Sequence, residues 1–358
     1  MAYSNGIDDP SAHFTITLYT GDGSNGRAIT NSDNAGDFQP DWLWIKNRTD
    51  GSTQHHWFNS TVGMPNHLNS DLADVEQTAT NKATALNSDG FRIQDHVQVN
   101  GSGKNYVAWQ WKANGGTTTT NDASATSVGT IDSVYQANTT AGLSIVTYTG
   151  TGSAGTIAHG LGATPTVYII KNRERSDTWR VAAEVLGYGD QLLLNDTDAE
   201  ANDNNTFNNT APTSTVFSVG TRNAVNANGE NHVAWVFAPK QGYSHFGTYK
   251  GNGSSDGPTV YTGFKPAWIM IKHRGSGGND WILIDSTRFP TNVVSKYVRV
   301  NTADAETDQY NIDVDILSNG FKLRGNSGNI NTNNSQHFFM AFAEHPIVSS
   351  TGVPVTAR

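Results

Sequence analysis

Three segments of the chain are apolar at almost every position, in contrast to the mixed apolar and polar residues around them. They run from Pro40 to Lys46, from Pro165 to Lys171 and from Pro266 to Lys272. A short run of this kind is typical of a strand that is covered on both faces of its sheet. A proline fits the first position because no ladder donor is needed there. Each segment is therefore predicted to be a central strand of a two-sheet β-sandwich.

The same segments belong to an internal repeat. In each copy a lysine stands six positions after the proline, an arginine follows two positions after the lysine, and a tryptophan comes shortly afterwards. These residues are Lys46, Arg48 and Trp57, then Lys171, Arg173 and Trp179, and finally Lys272, Arg274 and Trp281. An acidic pair follows in every copy: Asp74 and Glu76, Asp198 and Glu200, and Asp304 and Glu306. The chain is predicted to contain three copies of a unit of about 100 residues.

The repeat also predicts the domain organisation. The three copies occupy residues 14–113, 143–240 and 241–346, and residues 114–142 are rich in Thr, Ser, Gly and Ala. Such a composition is typical of a linker. Residues 1–13 are predicted to be an N-terminal docking segment, and residues 347–358 a C-terminal tail. The junction between copies 2 and 3 is much shorter, so these two copies are expected to be more rigidly coupled.

Turn signals separate short runs of β-branched and aromatic residues in every copy. Asn100-Gly101, Asn228-Gly229 and Asn319-Gly320 favour tight hairpin turns between antiparallel strands. Helical periodicity is almost absent, and the best short candidate is the segment from Asp71 to Ala85. We therefore predict an all-β protein made of three tandem antiparallel β-sandwich domains of the jelly-roll or lectin-like type.

Composition and charge exclude several classes of function. The 358 residues carry a net charge of −9, no extended Lys/Arg cluster and no cysteine. Nucleic acid is an improbable partner without a concentrated basic surface, and disulfides and thiolate metal sites are excluded. The apolar runs are far shorter than the ~20 residues that span a bilayer, and the N-terminus lacks the pattern of a signal peptide. We expect no membrane insertion and synthesis in the cytoplasm.

Candidate metal and catalytic residues have stronger structural explanations. His55 and His56 are adjacent on a strand and point to opposite faces, which makes shared metal ligation awkward. The acidic segment from Asp196 to Asp203 resembles a calcium loop but has Ala201 where that loop requires glycine. The glycines after His159 suit a turn. Nucleophile, phosphate-loop and dinucleotide motifs are absent. No enzyme activity, catalytic residue, metal or cofactor is predicted.

Features that recur in all three copies are expected to hold the fold together, since catalytic groups would more often occur in one copy. The Lys-x-Arg pair is predicted to lie on one strand face, where the following tryptophan could stack on a cation. Stacking of these tryptophans on sugars is the alternative, with a core position favoured. The acidic pairs are interpreted as solvated loops.

Several motifs resemble structural proteins of tailed bacteriophages, particularly phages of marine bacteria. The carrying residues in copy 2 are Tyr148-Thr149-Gly150-Thr151-Gly152, His159-Gly160-Leu161-Gly162-Ala163-Thr164-Pro165, Lys171-Asn172-Arg173 and Trp179. In copy 3 they are Gly247-Thr248-Tyr249-Lys250-Gly251-Asn252-Gly253, Thr262-Gly263-Phe264-Lys265-Pro266-Ala267-Trp268 and Ala341-Phe342-Ala343-Glu344. The likeness extends more loosely over copy 1. These relatives are virion components without an active site to carry over.

The resemblance implies a non-enzymatic virion protein, assembled in the host cytoplasm and afterwards extracellular. A tail-associated or tail-fibre protein that contributes to host-surface attachment is the leading hypothesis. A capsid decoration or head-fibre protein is the first alternative, and a polysaccharide-binding or polysaccharide-degrading appendage is the second. By analogy with such appendages we expect a homotrimer that contacts other virion proteins and, in the attachment role, a host-surface glycan.

Overall fold

A computed structural model of the protein describes residue 7, residues 9–31 and residues 37–343. The predicted C-terminal tail and most of the predicted docking segment lie outside the described residues. Copy 1 contains a six-stranded sheet in the order β1-β9-β3-β4-β5-β6 and a three-stranded sheet in the order β2-β8-β7. Its elements are β1 Phe14–Thr20, β2 Arg27–Thr30, β3 Trp42–Asn47, β4 His56–Asn59, β5 Asn66–Asn69, β6 Gln77–Thr78, β7 Ala83–Asn87, β8 Gly90–Ile93, α1 Val97–Asn100 and β9 Asn105–Trp111, preceded by a 3-10 turn at Pro10–Ala12.

Copy 2 has the same arrangement, with two additional strands at one edge of its main sheet and one strand fewer in its small sheet. The main sheet has the order β10-β11-β12-β19-β14-β15-β16-β17, and β13 pairs with β18. The elements are β10 Thr119–Asn121, α2 Ala123–Thr126, β11 Ser133–Asn138, β12 Leu143–Thr149, β13 Gly155–Ala158, β14 Val167–Asn172, β15 Arg180–Ala183, a 3-10 turn at Glu184–Leu186, β16 Asp190–Leu193, β17 Ala201–Asn202, α3 Asn204–Phe207, β18 Val216–Val219, α4 Asn223–Asn226 and β19 Asn231–Phe237.

Copy 3 repeats the arrangement a third time. Its main sheet has the order β20-β27-β22-β23-β24, and its small sheet has the order β21-β26-β25. The elements are β20 Ser244–Lys250, β21 Thr259–Tyr261, β22 Trp268–His273, β23 Ile282–Asp285, β24 Val298–Arg299, β25 Val314–Leu317, β26 Gly320–Leu323, α5 Gly328–Asn331 and β27 Gln336–Phe342. All of the paired strands named here are antiparallel, which confirms the predicted all-β, sandwich-type fold.

The central strands are buried along their whole length, as predicted, because each main sheet is covered on both faces. In β3, the side chains of Leu43 and Ile45 belong to a core cluster within copy 1, between its main and small sheets. Trp42 and Trp44 belong to a different cluster, to which all three copies contribute. The alternation of side chains along a strand therefore divides each apolar segment between a private core and a shared core.

The shared core contains all nine tryptophans of the chain, each at most 1% exposed. Their rings are in contact across the copies: the centroids of Trp57 and Trp179 are 4.8 Å apart, and those of Trp111 and Trp268 are 5.7 Å apart. The predicted core position of Trp57, Trp179 and Trp281 is confirmed. The three copies thus pack around one common core and are not separate domains arranged in a row.

Two predicted elements are wrong. Residues 114–142 are not a flexible linker, because β11 pairs along its length with β12 and β10 pairs with β11. Buried Asp41 of copy 1 holds the start of this segment by accepting hydrogen bonds from the backbone amides of Ala113, Gly115 and Gly116. The segment from Asp71 to Ala85 contains β6 and part of β7 instead of a helix. The helices in the described part of the chain are all too short to span a lipid bilayer.

Candidate functional site

The arginine of every Lys-x-Arg motif binds a glutamate of another copy. Each pair is bidentate, with the guanidinium Nε and one terminal nitrogen bound to the two carboxylate oxygens at 2.6–3.0 Å. The pairs are Arg48 with Glu306, Arg173 with Glu76, and Arg274 with Glu200. All six side chains are at most 20% exposed. Such fork-to-fork pairs combine charge with a defined geometry.

These three pairs close a ring. Copy 1 binds the acidic loop of copy 3, copy 2 binds that of copy 1, and copy 3 binds that of copy 2. The backbone repeats the connection, because the amides of Glu76, Glu200 and Glu306 donate to the carbonyl oxygens of Arg173, Arg274 and Arg48 at 2.8–3.1 Å. The expectation that the Lys-x-Arg pair holds each copy together is therefore wrong for the arginines, which hold the copies to one another. The acidic loops are solvated only at their aspartates, which are exposed.

The lysine of each motif is fully buried beside the arginine pair. The Nζ of Lys46 donates to the carbonyl oxygen of Ala303 in copy 3 at 3.0 Å, and the Nζ of Lys272 donates to that of Thr197 in copy 2 at 3.0 Å. Lys171 bonds instead to carbonyl oxygens of its own copy. Burial lowers the pKa of all three ammonium groups to about 8. Backbone carbonyls satisfy the donors that burial removes from water.

An aromatic or imidazole N–H bridges each junction as well. The indole Nε1 of Trp179 donates to the carbonyl oxygen of Asn69 at 3.0 Å, and that of Trp281 donates to the carbonyl oxygen of Leu193 at 2.7 Å. At the third junction the Nε2 of His55 lies 2.9 Å from the carbonyl oxygen of Arg299. Since Trp44 Nε1 donates to His55 Nδ1 at 2.9 Å, the neutral ring carries its proton on Nε2 and donates it to Arg299.

This bridge corrects the repeat alignment in copy 1. Strand pairing places Ile45 opposite His56, Ile170 opposite Arg180 and Ile271 opposite Ile282. The residue before each of these partners is His55, Trp179 or Trp281, so His55 and not Trp57 occupies the repeated position. Trp57 lies deeper in the shared core, in contact with Trp179.

The junction between copies 1 and 3 carries additional buried charges. Arg288 and Asp285 have fully buried side chains and pair with each other, and Arg288 also reaches Glu306 at 3.1 Å. Trp109 of copy 1 donates its indole N–H to Asp285 at 3.0 Å and stacks under the guanidinium of Arg288 at 5.5 Å. These copies are not adjacent in the chain. The junction between copies 1 and 3 has no chain segment that connects the two copies directly. Of the three junctions described here, it has the most extensive polar contacts.

The candidate metal and catalytic residues are engaged in structural contacts. Buried His159 lies 3.2 Å from the carbonyl oxygen of Thr213 through Nε2, and its Nδ1 accepts the amide of Leu161. Asp203 caps α3 and pairs with Arg222. Among residues 9–31 and 37–343, no group of three or more His, Asp and Glu is arranged to hold a metal ion. An open polar depression beside α4 is lined by Asn205, Thr221, Arg222 and Asn223.

The glutamate pairs are expected to stabilise the ring measurably. Replacing Arg173 and Glu76 by Met and Gln, singly and together, should give a coupling free energy of about 1–3 kcal/mol in a double-mutant cycle, because neither side chain is more than 20% exposed. The pair of Lys322 with Asp256, whose carboxylate is 83% exposed, is the control and should give a clearly smaller coupling free energy. Urea unfolding measures both. Equal coupling in the two pairs would contradict the structural role of the ring.

Buried histidines make stability fall on mild acidification. Burial lowers the pKa of seven of them: His55 and His56 well below the ordinary value, His67 to about 3, His159 and His337 to about 4, and His232 and His273 in the same direction. Below pH ~6.5 these histidines bind protons in the unfolded chain but stay neutral in the folded chain. The free energy of unfolding therefore decreases as the pH is lowered. Burial raises the pKa of Asp71 to about 6, so its carboxyl group takes up one proton in the folded chain on acidification. This uptake partly offsets the loss of stability. Urea unfolding should show a loss of more than ~3 kcal/mol between pH 7.5 and 5.5, and a flat profile would contradict it.

Comparison with known proteins identifies a family without a described activity. No curated protein and no solved structure matches the chain. A family described as "Domain of unknown function (DUF7483)" matches residues 9–346, which include all three copies and the segment between the first two. The match treats the whole ring as one unit, in agreement with the shared core. The chain belongs to this family, the DUF7483 domain family.

Proposed function

We propose that the protein is a non-enzymatic structural component of a bacteriophage virion, carried on the tail as part of a fibre that contacts the host surface. The observation that supports this most is the ring of three copies closed by Arg48, Arg173 and Arg274 around a shared tryptophan core. A virion appendage must stay folded outside the cell, and this chain has no cysteine to form disulfides. Packing and reciprocal ion pairs supply the rigidity instead.

The chemistry of the repeated acidic loops favours a structural role over catalysis. Glu76, Glu200 and Glu306 are each bound on both carboxylate oxygens by an arginine. A general acid or base needs a carboxylate that reaches the substrate and exchanges a proton near the working pH. Carboxylates clamped in ion pairs do not meet this requirement. The similarity of several motifs to tailed-phage structural proteins supports the same class of function.

The location on the particle is the decisive test. Antibodies against the purified protein, applied to intact phage particles and viewed by immunogold electron microscopy, should label the tail. Mass spectrometry of the same particles should detect the chain among the virion proteins. Labelling spread over the capsid, at tens or hundreds of copies per particle, would favour the alternative of a head decoration or head fibre. Absence of the chain from purified particles would overturn the proposal.

Self-association is a separate part of the proposal. By analogy with phage appendages, three chains are expected to form a closed homotrimer. Each chain already supplies three copies of the fold in a closed ring, so a trimer would present nine. Multi-angle light scattering at micromolar concentration should give three times the chain mass. A stable monomer would show that the threefold arrangement is satisfied within one chain.

A further inference from the structure

The aromatic side chains that are largely exposed in the described part of the chain are tyrosines of copy 3. All nine tryptophans are buried, so none can stack on a ligand in the folded protein. Among the described residues, the large aromatic side chains that are exposed are Tyr261, at 67%, and Tyr310, at 63%. These two residues differ in their surroundings, and the difference points to a site at Tyr310.

Tyr310 is supported from below by a fixed cation. The guanidinium of Arg299 lies 5.3 Å from the ring centre of Tyr310 and 5.8 Å from that of Tyr297, so it contacts both an exposed and a buried ring. Asp280 and Asp304 hold the same guanidinium at 2.9 Å and 2.7 Å. An arginine that is held by two carboxylates orients the ring stacked on it. The inner face of Tyr310 is therefore covered, while its large exposed fraction leaves surface for a ligand.

The backbone of this loop holds Tyr310 in a conformation that is unfavourable for its bulky side chain. Tyr310 has a φ of 68° and Asn311 has a φ of 53°, both in the left-handed region. Bulky side chains seldom occupy this region, and such strain is concentrated at functional sites. Hydrogen bonds between the backbones of Tyr297 and Thr307, at 3.0 and 3.1 Å, anchor the start of the loop. The loop projects from this anchor and returns Tyr310 over Arg299.

The fold itself does not require this arrangement. Strand pairing places Arg299 opposite Ile282, and the corresponding residues opposite His56 and Arg180 are Asn69 and Leu193. Copies 1 and 2 therefore lack the supporting cation and still form the same main sheet. A strained aromatic platform present in one copy of three is a specialised feature of the kind expected for ligand binding.

We propose that Tyr310 is the stacking platform of a glycan-binding site that takes neutral sugar rings, an inference that rests on the attachment role proposed above. The apolar face of a pyranose packs against an aromatic ring, and its hydroxyl groups bond to carboxylate and amide side chains nearby. Asp304, 54% exposed, and the exposed side chains of Asn311 and Asn326 supply these groups. Arg299 carries one positive charge against the two negative charges of Asp280 and Asp304, so acidic sugars are disfavoured.

Purified protein, multimerised on streptavidin so that weak contacts are detected, is tested on an array of neutral and acidic bacterial surface oligosaccharides. The native chain should bind neutral glycans, and Tyr310→Ala should weaken binding about tenfold or more, since the stacking surface is removed. Tyr310→Phe keeps the ring and should bind within about threefold of the native chain. Tyr261→Ala is the matched control: it removes an equally exposed tyrosine that has no cation stacked on it, and binding should not change.

Three results would overturn the site. They are no binding of any glycan by the native chain, binding of acidic glycans alone, and binding that survives Tyr310→Ala. Each is independent of the particle experiment, because it uses the isolated protein. A chain that immunogold places on the tail but that binds no glycan would remove the sugar site and leave the structural function standing. Urea unfolding of the Tyr310→Ala chain, expected to show the same cooperative transition as the native chain, checks that lost binding is not lost folding.

Discussion

Replacing Arg288 by methionine is expected to lower the free energy of unfolding by about 3–5 kcal/mol. The substitution leaves the fully buried carboxylate of Asp285 without its charge partner at the junction of copies 1 and 3. It also removes a hydrogen bond to the carbonyl oxygen of Leu283 and one of the two arginines that bind Glu306. Urea or thermal unfolding of the native and variant chains measures the loss.

Two further variants separate the buried charge from simple loss of a side chain. Arg288→Met combined with Asp285→Asn should be less destabilised than Arg288→Met alone, because the uncompensated carboxylate is gone while an oxygen is kept for the indole of Trp109. Arg175→Met removes an arginine that is 44% exposed and should lower the free energy of unfolding far less than Arg288→Met. A double variant as unstable as the single one would show that the charge at Asp285 is not the cause.

Copy 3 expressed alone, as residues 241–343, is expected not to reach a fixed tertiary structure. Separation from the other copies exposes one whole face of its main sheet, including Trp268, Met270, Trp281, Leu283 and Phe342. At ~1.5–3 kcal/mol for each side chain, this loss is on the order of 10 kcal/mol, which is comparable to the whole stability of a typical domain.

Heteronuclear NMR and dye binding test this expectation. The isolated copy should show poorly dispersed amide resonances and should bind a hydrophobic dye, as collapsed chains without specific packing do. The full chain under the same conditions should show dispersed resonances and little dye binding. A well-dispersed spectrum of the isolated copy, with cooperative unfolding, would contradict the dependence of each copy on the shared core.

The central strands could be predicted from the sequence because their signal is local. The segment from Trp42 to Asn47 is apolar at most positions, and its sheet is covered on both faces. The same pattern does not tell which residues face the private core and which face the shared one, since both faces require apolar side chains. The common tryptophan core, the main architectural feature of the ring, therefore could not be derived from the pattern.

The partners of the repeated charges could not be predicted because they lie in another copy. Arg48 and Glu306 are 258 residues apart, and within one copy the spacing of Lys-x-Arg and the acidic pair carries no sign of the contact. The occurrence of an arginine and a glutamate in all three copies was the available signal. This recurrence indicates that each copy needs both residues. It does not distinguish ion pairs between copies from ion pairs within a copy, because both arrangements would produce the same recurrence.

Two predictions from the sequence are wrong because residue type does not reveal how the strands pair. Residue type alone aligns Trp57 with Trp179 and Trp281, whereas strand register assigns that position to His55. Residues 114–142 have the composition of a linker, yet the free edge of β12 provides a template on which β11 forms. In both cases tertiary hydrogen bonding decides the outcome, and it outweighs local composition.

The central claim is that the three copies fold as one cooperative unit around the shared core. Differential scanning calorimetry at pH 7.5 tests it most directly, because the ratio of the calorimetric to the van't Hoff enthalpy counts the cooperative units that unfold. A single transition with a ratio near one is the result that this account predicts. Resolved transitions, or a ratio of about three, would show that the copies unfold independently and would contradict it.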